Sequence, residues 1–503
     1  MKDMLIGIDI GGGGLKTMIV SLKGDVMGSA SFDLHTHSPH AGWSEQDPAD
    51  WWRGVCETVP RALAEAGVNN DRIAAVAFSA GAHTPVLEDA EGRVIRPAIL
   101  WSDARSGAEA RELQERYGDE ILELACNRPA ATWTQPQLLW LARHEPEALA
   151  RTKRLYVAKD WLRSRLTGTW ETDATEAVGT LLYDGRRGQW SDRLCEMIGF
   201  DPLLLPPIVE PTSVVGTVTS QAASQCGLAA GTPVVCGSSD TSVEAYGAGA
   251  TTAKRGTVKL ATAATVSIVD TEPRPHPSVI NYPFVVPGYW YTIGATNSCA
   301  SAHRWLRDCF YADSALSGSQ AFELMDLHAA EVDAGAKGLL FHPYMQGERT
   351  PHWDPLLRAD FIGLTFAHQP RHLVRALYEG IAFSLRDVLD ALRSQGLDMS
   401  EARIIGGGSR SAVWRQIVAD VLGISIAMPR VTDASFGAAL IAGVGIGVFP
   451  DEAAAVEQTV SVIAQHEPDL SKQNLYNDLH GIYKDAAKQL FEVNHRLSAI
   501  GNR

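Results

Sequence analysis

The sequence has little cysteine and no cysteine pattern that would bind a metal. The 503 residues include seven cysteines, namely Cys56, Cys126, Cys195, Cys226, Cys236, Cys299 and Cys309. No two of them form a CxxC pair. Closely spaced pairs are typical of zinc sites, and dense even-numbered sets are typical of small secreted proteins. The sequence therefore predicts reduced, mostly buried thiols and no zinc site.

The sequence also lacks a long hydrophobic run. A membrane-spanning helix needs a window of about 18 apolar residues, and none is present. The most apolar stretch, at 434–449, is broken by glycines. The first apolar segment is short and contains Asp9, which is unlike a secretory signal peptide. We therefore expect a cytoplasmic protein with no membrane anchor or membrane partner.

Positive charge is scarce relative to negative charge. Lys and Arg number 44 against 59 Asp and Glu, which gives a net charge of −15. Non-specific binding to nucleic acids depends on basic surfaces, so this balance argues against a nucleic-acid partner. It does not exclude a small anionic ligand, because backbone N–H groups can hold an anion in a locally positive pocket.

Strand and helix patterns alternate along the chain. MLIGIDI, LKTMIVSL, DVMGSASFDL and IAAVAFSA have the pattern of strands, and a helix is predicted near Pro48–Ala66. A long helical region is predicted from about Ala104 to Leu166, and a second α/β region begins near Thr232. The length suffices for roughly two to four domains. The order of elements is typical of an α/β fold with mixed sheets.

The opening pattern recurs near the middle of the chain. MLIGIDIGGGGLKTMIV and GTVKLATAATVSIV lie about 250 residues apart, and each has a strand, a turn of small residues and a second strand. The recurrence indicates two related halves that face one another, whereas the weak match residue by residue leaves coincidence as the alternative. A third turn, in ARIIGGGSRSAVWRQIVADVLG, joins a strand to a helix and would point N–H groups at an anion or a nucleotide.

Four consecutive glycines follow the first strand in GIDIGGGGLK. Glycine permits close backbone approach, so a glycine cluster after a strand suits a phosphate-binding loop. An ordinary hairpin uses glycine in the same way. The segment alone therefore leaves both interpretations open.

Ten segments, in order, resemble the FGGY family of carbohydrate kinases, and within it most closely the xylulokinase-like group. They are GIDIGGGGLK, GWSEQDPADWW, RVIRPAILWSDAR, TWTQPQLLWLARHEPE, VAKDWLRSRLTG, GSSDTSVEAYGAG, PYMQGERTPHWDP, ADFIGLTFAHQPRHLVRALYEG, GGGSRSAVWRQIVADVLG and DASFGAAL. The resemblance implies an α/β fold of two ribonuclease H-like domains of the actin type, with a cleft between them. The implied domains are residues 1–250, on the sugar side with the catalytic base, and residues 251–503, on the nucleotide side.

The same resemblance implies transfer of the γ-phosphoryl group of ATP, with Mg²⁺, to a hydroxyl of a small sugar. Phosphoryl transfer depends on positioning and charge neutralisation more than on covalent chemistry. Family members are often dimers, so a homodimer is left open.

On the sugar side, the resemblance implies that Asp240 is the general base that takes the proton of the sugar hydroxyl. His83 matches a histidine that hydrogen-bonds the sugar. The other implied substrate-binding residues are Ala82, Trp101, Asp103 and Thr241. Where the xylulokinase-like group commonly has Gln-Met, this chain has Gly81 and Ala82. This departure is expected to enlarge the pocket and to remove a polar contact.

On the nucleotide side, Asp9 matches the aspartate that approaches Mg²⁺, usually through water. The implied nucleotide-binding residues are Gly11, Gly12, Gly13 and Gly14 of the first phosphate hairpin, Lys16 on its returning strand, Thr262 of the second hairpin, and Gly406, Gly407, Gly408 and Ser409 of the third turn. The family usually has Gly-Thr-Ser-Gly in these hairpins. The first hairpin therefore lacks two hydroxyls, and we expect its backbone N–H groups to hold the phosphate. The second hairpin keeps one hydroxyl and lacks both glycines.

Several assignments have a structural alternative that the residues alone leave open. Asp240, followed by Thr-Ser-Val-Glu, could cap a helix. Asp9 could accept a hydrogen bond from a turn N–H. His83 could be a structural histidine, and Asp103 could form a surface ion pair with Arg105.

Two classes of function follow. The first is a sugar kinase acting on a ketopentose such as D-xylulose, with ribulose, other pentuloses, erythritol and gluconate as alternative substrates. The second is a catalytically weakened regulator that keeps the actin-type fold, which the altered hairpins motivate. Retention of Asp9, Asp240 and the GGGS turn favours the enzyme.

Overall fold

Two large sheets organise the protein in the computed structural model, which describes residues 2–312 and 316–501. The strands of the first sheet follow in the spatial order Val214–Thr217, Pro233–Ser239, Ile73–Ala80, Met4–Ile10, Gly14–Ser21 and Val26–Asp33. The strands of the second sheet follow in the order Ile280–Pro283, Trp290–Ala295, Ala264–Asp270, Arg255–Leu260, Glu401–Ile405, Ser425–Pro429 and Val462–His466.

The two sheets share one connection pattern. In each, the strand that opens the half forms an antiparallel hairpin with the next strand, which pairs antiparallel with a third. On its other side, the opening strand pairs in parallel with a later strand, and that strand pairs in parallel with another. This repetition confirms the two related halves that the sequence predicts.

Sixteen helices lie within the described residues. They are Pro48–Ala66, Gly107–Ala125, Thr134–His144, Pro146–Arg151, Ala158–Thr167, Ala174–Gly179, Asp192–Glu196, Ser220–Cys226, Asp240–Gly247, Ala300–Phe310, Gly318–Ala330, Pro370–Ser394, Ala412–Leu422, Ala434–Gly445, Glu452–Thr459 and Gln473–Gly501. The first has the predicted bounds because Asp47 caps its start, Pro48 occupies the first turn and Gly67 ends it in the left-handed region. None of the described helices is long and apolar enough to cross a membrane.

The predicted helical region from Ala104 to Leu166 is interrupted. It contains a short strand, Arg154–Val157, which pairs with strand Pro85–Glu88. The other short pairs join Glu45–Gln46 with Ala98–Ile99, Thr172–Asp173 with Ile208–Val209, Tyr183–Asp184 with Gln189–Trp190, and Leu340–His342 with Asp360–Ile362. The alternation of apolar residues in this region does not distinguish a four-residue buried strand from a helical turn.

Two helices cross between the sheets, and glycine makes their close approach possible. Helix Asp240–Gly247 follows the first sheet's strand Pro233–Ser239, and helix Ala434–Gly445 follows the equivalent strand of the second sheet, Ser425–Pro429. A Cβ atom at Gly247 would lie 2.9 Å from the Cα of Gly437. The second helix belongs to the C-terminal half of the chain but also packs against the first sheet. The starts of both helices therefore lie where the two halves meet.

The two halves also share buried contacts at one edge. Tyr282 and Tyr291 of the second sheet belong to a buried cluster that contains Trp133 and Leu138 of the first half. The Asn127 side chain donates a hydrogen bond of 2.8 Å to the carbonyl oxygen of Asn281 and accepts one of 2.8 Å from its N–H. These paired hydrogen bonds fix the edge of the second sheet against the helical region of the first half.

Candidate active site

Asp9 lies near the end of strand Met4–Ile10, two residues before the first hairpin turn. Its Oδ1 accepts a hydrogen bond of 2.6 Å from the hydroxyl of Ser79 on the neighbouring parallel strand. The partner is therefore a side chain and not a turn N–H. Burial raises the pKa of Asp9 well above its usual value, and the charges of Asp240, Asp433 and Glu244 raise it further.

Asp240 is the first residue of the helix that follows strand Pro233–Ser239. Its Oδ1 accepts hydrogen bonds from the N–H and the hydroxyl of Thr241, at 2.6 and 3.1 Å. It does not bond to the N–H groups further along the first turn, as a helix cap would. Burial raises the pKa of Asp240, whereas the charge of Lys259 and the bonds from Thr241 lower it. The other oxygen, Oδ2, faces Gly81, at 3.9 Å from where a Cβ of that residue would be.

His83 is buried at the meeting edge of the two halves. Its Nε2 forms a hydrogen bond of 2.6 Å with the hydroxyl of Tyr282, and its ring stacks on Trp133 at 4.0 Å. Burial lowers the pKa of His83 to about 3, so the ring is neutral at pH 7. Its φ of 70° lies in the left-handed region, which is uncommon for a residue other than glycine. Ala82 lies beside it, with its Cβ facing Gly179.

The indole of Trp101 occupies the space beside Gly81. A Cβ at Gly81 would lie 3.0 Å from Trp101 Cδ1, and a Cβ at Gly12 would lie 3.8 Å from its Nε1. The Trp101 indole therefore lines the space that the missing side chain at Gly81 leaves, and an enlarged sugar pocket stays a prediction. Trp101 is 48% exposed and lies between Gly12 of the first hairpin and Gly81 near Asp240.

Asp103 is fully buried, and both of its oxygens are engaged. Oδ1 accepts from the N–H and Nε of Arg105, at 2.8 and 2.9 Å. Oδ2 accepts from the N–H of Ser44 at 2.6 Å and from Arg105 Nη2 at 2.8 Å. The ion pair expected at the surface is present but buried, and Arg105 also stacks on Trp43 at 3.7 Å. The buried Asp103–Arg105 pair therefore holds in place the loop that carries Trp101.

The first hairpin turn exposes two backbone N–H groups. The Gly11 N–H donates a hydrogen bond of 2.8 Å to the carbonyl oxygen of Gly14, which closes the turn. The carbonyl of Gly12 accepts a hydrogen bond of 2.9 Å from the side chain of Gln46, and the carbonyl of Gly13 accepts one of 3.1 Å from the N–H of Leu34. Within the described part of the chain, nothing accepts a hydrogen bond from the N–H groups of Gly12 and Gly13. These two donors are therefore open to a ligand.

The second hairpin turn lies on the start of helix Ala300–Phe310. The carbonyl of Thr262 accepts a hydrogen bond of 3.0 Å from the Cys299 N–H and one of 2.8 Å from the Ser301 hydroxyl. The Thr262 hydroxyl points outward, 3.5 Å from Nη2 of Arg304. An alanine-lined turn is therefore held by the adjoining helix, and its one hydroxyl lies beside a cation.

The third turn packs on the second hairpin. Gly406 has a φ of 86°, and a Cβ there would lie 2.7 Å from the carbonyl oxygen of Leu260. Ser409 is buried and its hydroxyl donates 2.7 Å to the carbonyl of Gly406, so it stabilises the turn. Space is open beside Gly407. The helix does not follow directly, because a 3₁₀ turn over Gly407–Arg410 precedes its start at Ala412.

Two ion pairs connect the hairpins to the crossing helices. Lys16, on the first hairpin, lies 2.6 Å from Asp433, the residue that caps helix Ala434–Gly445. Lys259, on the second hairpin's first strand, lies 2.5 Å from Glu244 of helix Asp240–Gly247. Each lysine thus binds an acid on the helix of the other half. With Asp9 and Asp240, four carboxyl groups face two ammonium groups, so the ionised site carries an excess of negative charge.

Several of these residues are not identified by sequence reasoning. Glu244 stands four residues after Asp240, a spacing that places two side chains on one helix face, so it could have been found. Asp433 belongs to the DASFGAAL segment and could have been found as a helix cap. Ser79, Tyr282 and Lys259 carry no local signal, because their partners are distant in sequence or follow from the pairing of strands.

The protein consists of two α/β halves of one topology, with two helices between them and with Asp9 and Asp240 near the hairpins. These features define a two-domain phosphotransferase of the ribonuclease H-like, actin-type class. The predicted fold class is confirmed. The models for the FGGY family of carbohydrate kinases match residues 4–247 with the N-terminal domain and residues 256–446 with the C-terminal domain.

Known relatives agree with this match. The chain is 31% identical over 507 residues to a xylulose kinase of Staphylococcus epidermidis, with 100% of both chains covered. It is 32% identical over 422 residues to a xylulose kinase of Escherichia coli, covering 84% of this chain and 85% of the relative. The crystal structure of xylulose kinase from Rhodospirillum rubrum superposes with a TM-score of 0.90 at 29% identity, covering 98% of this chain and 100% of that one.

This chain belongs to the FGGY family of carbohydrate kinases. Kinases of this family use ATP as the phosphate donor, and the prediction of an ATP-dependent carbohydrate kinase is confirmed.

Proposed function

We propose that this enzyme transfers the γ-phosphoryl group of ATP to a hydroxyl of a ketopentose such as D-xylulose. The observation that carries the proposal is the position of Asp240, whose free Oδ2 faces Gly81. The Trp101 indole also lies beside Gly81, and Gly12 of the first hairpin borders the same indole. The proposed base, sugar side and phosphate side therefore meet around one side chain. The xylulose kinases among the relatives supply the substrate class.

Asp240 is proposed to act as the general base. A carboxylate that accepts the hydroxyl proton must be ionised before transfer and basic enough to hold the proton afterwards. Burial raises the pKa of Asp240, which makes it a stronger base, and the charge of Lys259 limits that rise. The bonds from Thr241 leave Oδ2 free for the sugar hydroxyl.

The sugar is proposed to lie against Trp101, Ala82 and His83. Burial keeps the His83 ring neutral, and its hydrogen bond to the Tyr282 hydroxyl fixes the ring against the other half of the chain. Asp103 and Thr241 are proposed to position Trp101 and Asp240, because both oxygens of Asp103 are already occupied and Thr241 binds Asp240 directly. The domain on this side is proposed as residues 1–250.

ATP is proposed to bind between the hairpins, on the side of residues 251–503. The free N–H groups of Gly12 and Gly13 can donate hydrogen bonds to phosphate oxygens, and the positive charge of Lys16 would attract them. Thr262 and the turn of Gly406, Gly407, Gly408 and Ser409 are proposed to line the phosphates and the adenosine, with the open space beside Gly407 as the closest approach.

Asp9 is proposed to hold Mg²⁺ through water. In the described ranges, no three His, Cys, Asp or Glu side chains are grouped as a metal cage. Mg²⁺ at phosphate sites commonly keeps several waters and uses one or two carboxylates plus the phosphates, so the single Asp9 fits that mode. A divalent cation would also offset the charges that raise the pKa of Asp9. When bound, Mg²⁺ supplies neutralisation of phosphate charge.

A cytoplasmic location and a homodimer are proposed on the family resemblance and are tested separately from the chemistry. Cell fractionation tests the first, and light scattering on a size-exclusion column tests the second. A membrane-fraction signal would contradict the location, and a monomer mass at micromolar concentration would contradict the dimer.

The substrate assignment is tested by a coupled ADP-release assay over pentuloses, polyols and sugar acids. A ketopentose should give the highest kcat/KM. ADP release at equal rates with and without every sugar would contradict the proposed function. A His83→Gln variant should raise the KM for the sugar while the KM for ATP stays within twofold. An equal rise in both constants would show that His83 does not act on the sugar side.

A further inference from the structure

Lys259 is a cleft cation at the base of the second hairpin. It lies on strand Arg255–Leu260, immediately before the turn at 261–264, and its Nζ reaches Oε2 of Glu244 at 2.5 Å. The Lys259 side chain is 30% exposed, so it is only partly covered by its neighbours although its ammonium group is paired. Lysine is a compact charge with three donors that binds phosphate readily.

The repetition of the two halves places Lys259 opposite Asp9. Asp9 stands two residues before Gly11 in the first hairpin, and Lys259 stands two residues before Ala261 in the second. In both hairpins the strand pairs with the next strand antiparallel and with a later strand in parallel. The second half therefore presents a cation where the first half presents the proposed Mg²⁺ carboxylate.

The partner of Lys259 brings it to the proposed base. Glu244 follows Asp240 by four residues, so both side chains lie on one face of the same helix. The charge of Lys259 lowers the pKa of Asp240. Burial lowers the pKa of Lys259, whereas the charges of Glu244, Asp240 and Asp9 raise it. The ammonium group thus lies against Glu244, one helical turn from Asp240, at the base of the second hairpin.

We propose that Lys259 binds the γ-phosphoryl group of ATP during transfer and that Glu244 holds its ammonium group in place. This inference rests on the proposed function. The sugar oxygen forms a bond to the γ-phosphorus while the bond from that phosphorus to the β,γ-bridging oxygen breaks. The hydroxyl proton passes to Asp240, and ADP leaves with the bridging oxygen. Lys259 stays protonated throughout and donates hydrogen bonds to the equatorial oxygens, a role that compensates for the hydroxyls missing from the hairpins.

Nucleotide binding without sugar gives the first test. The protein is titrated with Mg²⁺-ADP and with the Mg²⁺ complex of the non-hydrolysable analogue that has an imido bridge between the β- and γ-phosphates. Lys259→Met should weaken binding of the analogue at least tenfold and binding of ADP less than twofold. The matched control is Arg255→Met, which removes a cation from the far end of the same strand, near Glu401. The control should leave both affinities unchanged, and equal losses for ADP and the analogue in Lys259→Met would overturn the proposal.

Turnover gives the second test. Lys259→Met should lower kcat about 10²-fold, the loss typical when one transition-state donor is removed, with the KM for sugar within twofold. Lys259→Arg should recover most of that loss, and Glu244→Gln should lose less than tenfold. An unchanged kcat in a folded Lys259→Met variant, or an equal loss in Glu244→Gln, would overturn the proposal. If no sugar supports turnover in the unmodified enzyme, the proposed function fails, and the binding experiment still tests Lys259.

Discussion

Restoring the two missing hydroxyls of the first hairpin should improve the use of ATP. In the double substitution Gly12→Thr with Gly13→Ser, both positions accept a side chain. Neither has a positive φ, a Cβ at Gly12 meets only Trp101 Nε1 at 3.8 Å, and a Cβ at Gly13 meets nothing within 4 Å. The variant should therefore fold without strain.

The expected gain follows from hydrogen bonding and from chain entropy. A hydrogen bond to a charged group contributes about 1.5–3 kcal/mol, and tenfold in affinity corresponds to about 1.4 kcal/mol. Even one new bond to phosphate should thus lower the KM for ATP roughly tenfold or raise kcat correspondingly. Replacing two glycines should also stabilise the fold by about 1–2 kcal/mol, since the unfolded chain loses freedom.

A matched variant separates the two effects. Gly12→Ala with Gly13→Ala carries the same entropic change and no hydroxyls. Steady-state kinetics at varied ATP, with urea unfolding of each variant, should show the stability gain in both variants and the gain in KM or kcat in the hydroxyl variant alone. Unchanged KM and kcat in the hydroxyl variant would refute the reasoning and show that these hydroxyls are dispensable in this hairpin.

Three further predictions concern the helix contact, the histidine and the metal. Gly7→Ala should destabilise the fold by about 1–3 kcal/mol in urea unfolding, because its Cβ would overlap the carbonyl oxygen of Ser435; stability equal to that of Gly13→Ala would contradict this packing. Burial lowers the pKa of His83 from 6.5 to about 3. The stability that its neutral ring provides is therefore present above pH 6.5 and is lost as the pH falls towards 3, by roughly 1.5 kcal/mol between pH 6.5 and 5. Urea unfolding at these two pH values should show this loss in the unmodified enzyme and not in His83→Gln, and an equal loss in both would contradict it. Asp9→Asn should raise the Mg²⁺ concentration for half-maximal activity at least tenfold; an unchanged Mg²⁺ titration would contradict the metal role.

Local patterns predicted the elements that surround the site. The helix Pro48–Ala66 was predictable because its cap, its proline and its terminal glycine all lie within the segment. The first hairpin was predictable because small residues separate two apolar strands. The strand Arg154–Val157 is not predicted, since three consecutive buried residues after Arg154 carry too little periodicity to exclude a helix.

Contacts between distant segments could not be predicted in the same way. Lys16 and Asp433 are 417 residues apart, and their ion pair depends on the crossing of two helices between the sheets. The indole of Trp101 fills the space beside Gly81 because the buried Asp103–Arg105 pair holds its loop there. The size of the pocket beside Gly81 therefore depends on Trp101 and Asp240, which lie in other segments of the chain, and does not follow from Gly81 alone.

The most direct test of the account is the sugar-dependent turnover of Asp240→Asn. ADP release is followed with the preferred sugar and without sugar, and phosphorus NMR identifies the product. The unmodified enzyme should form one sugar phosphate for each ADP. Asp240→Asn should lose at least about 10²-fold in kcat, since it cannot accept the hydroxyl proton, and should bind the ATP analogue with unchanged affinity. A folded Asp240→Asn variant that keeps full sugar-dependent turnover would contradict the account.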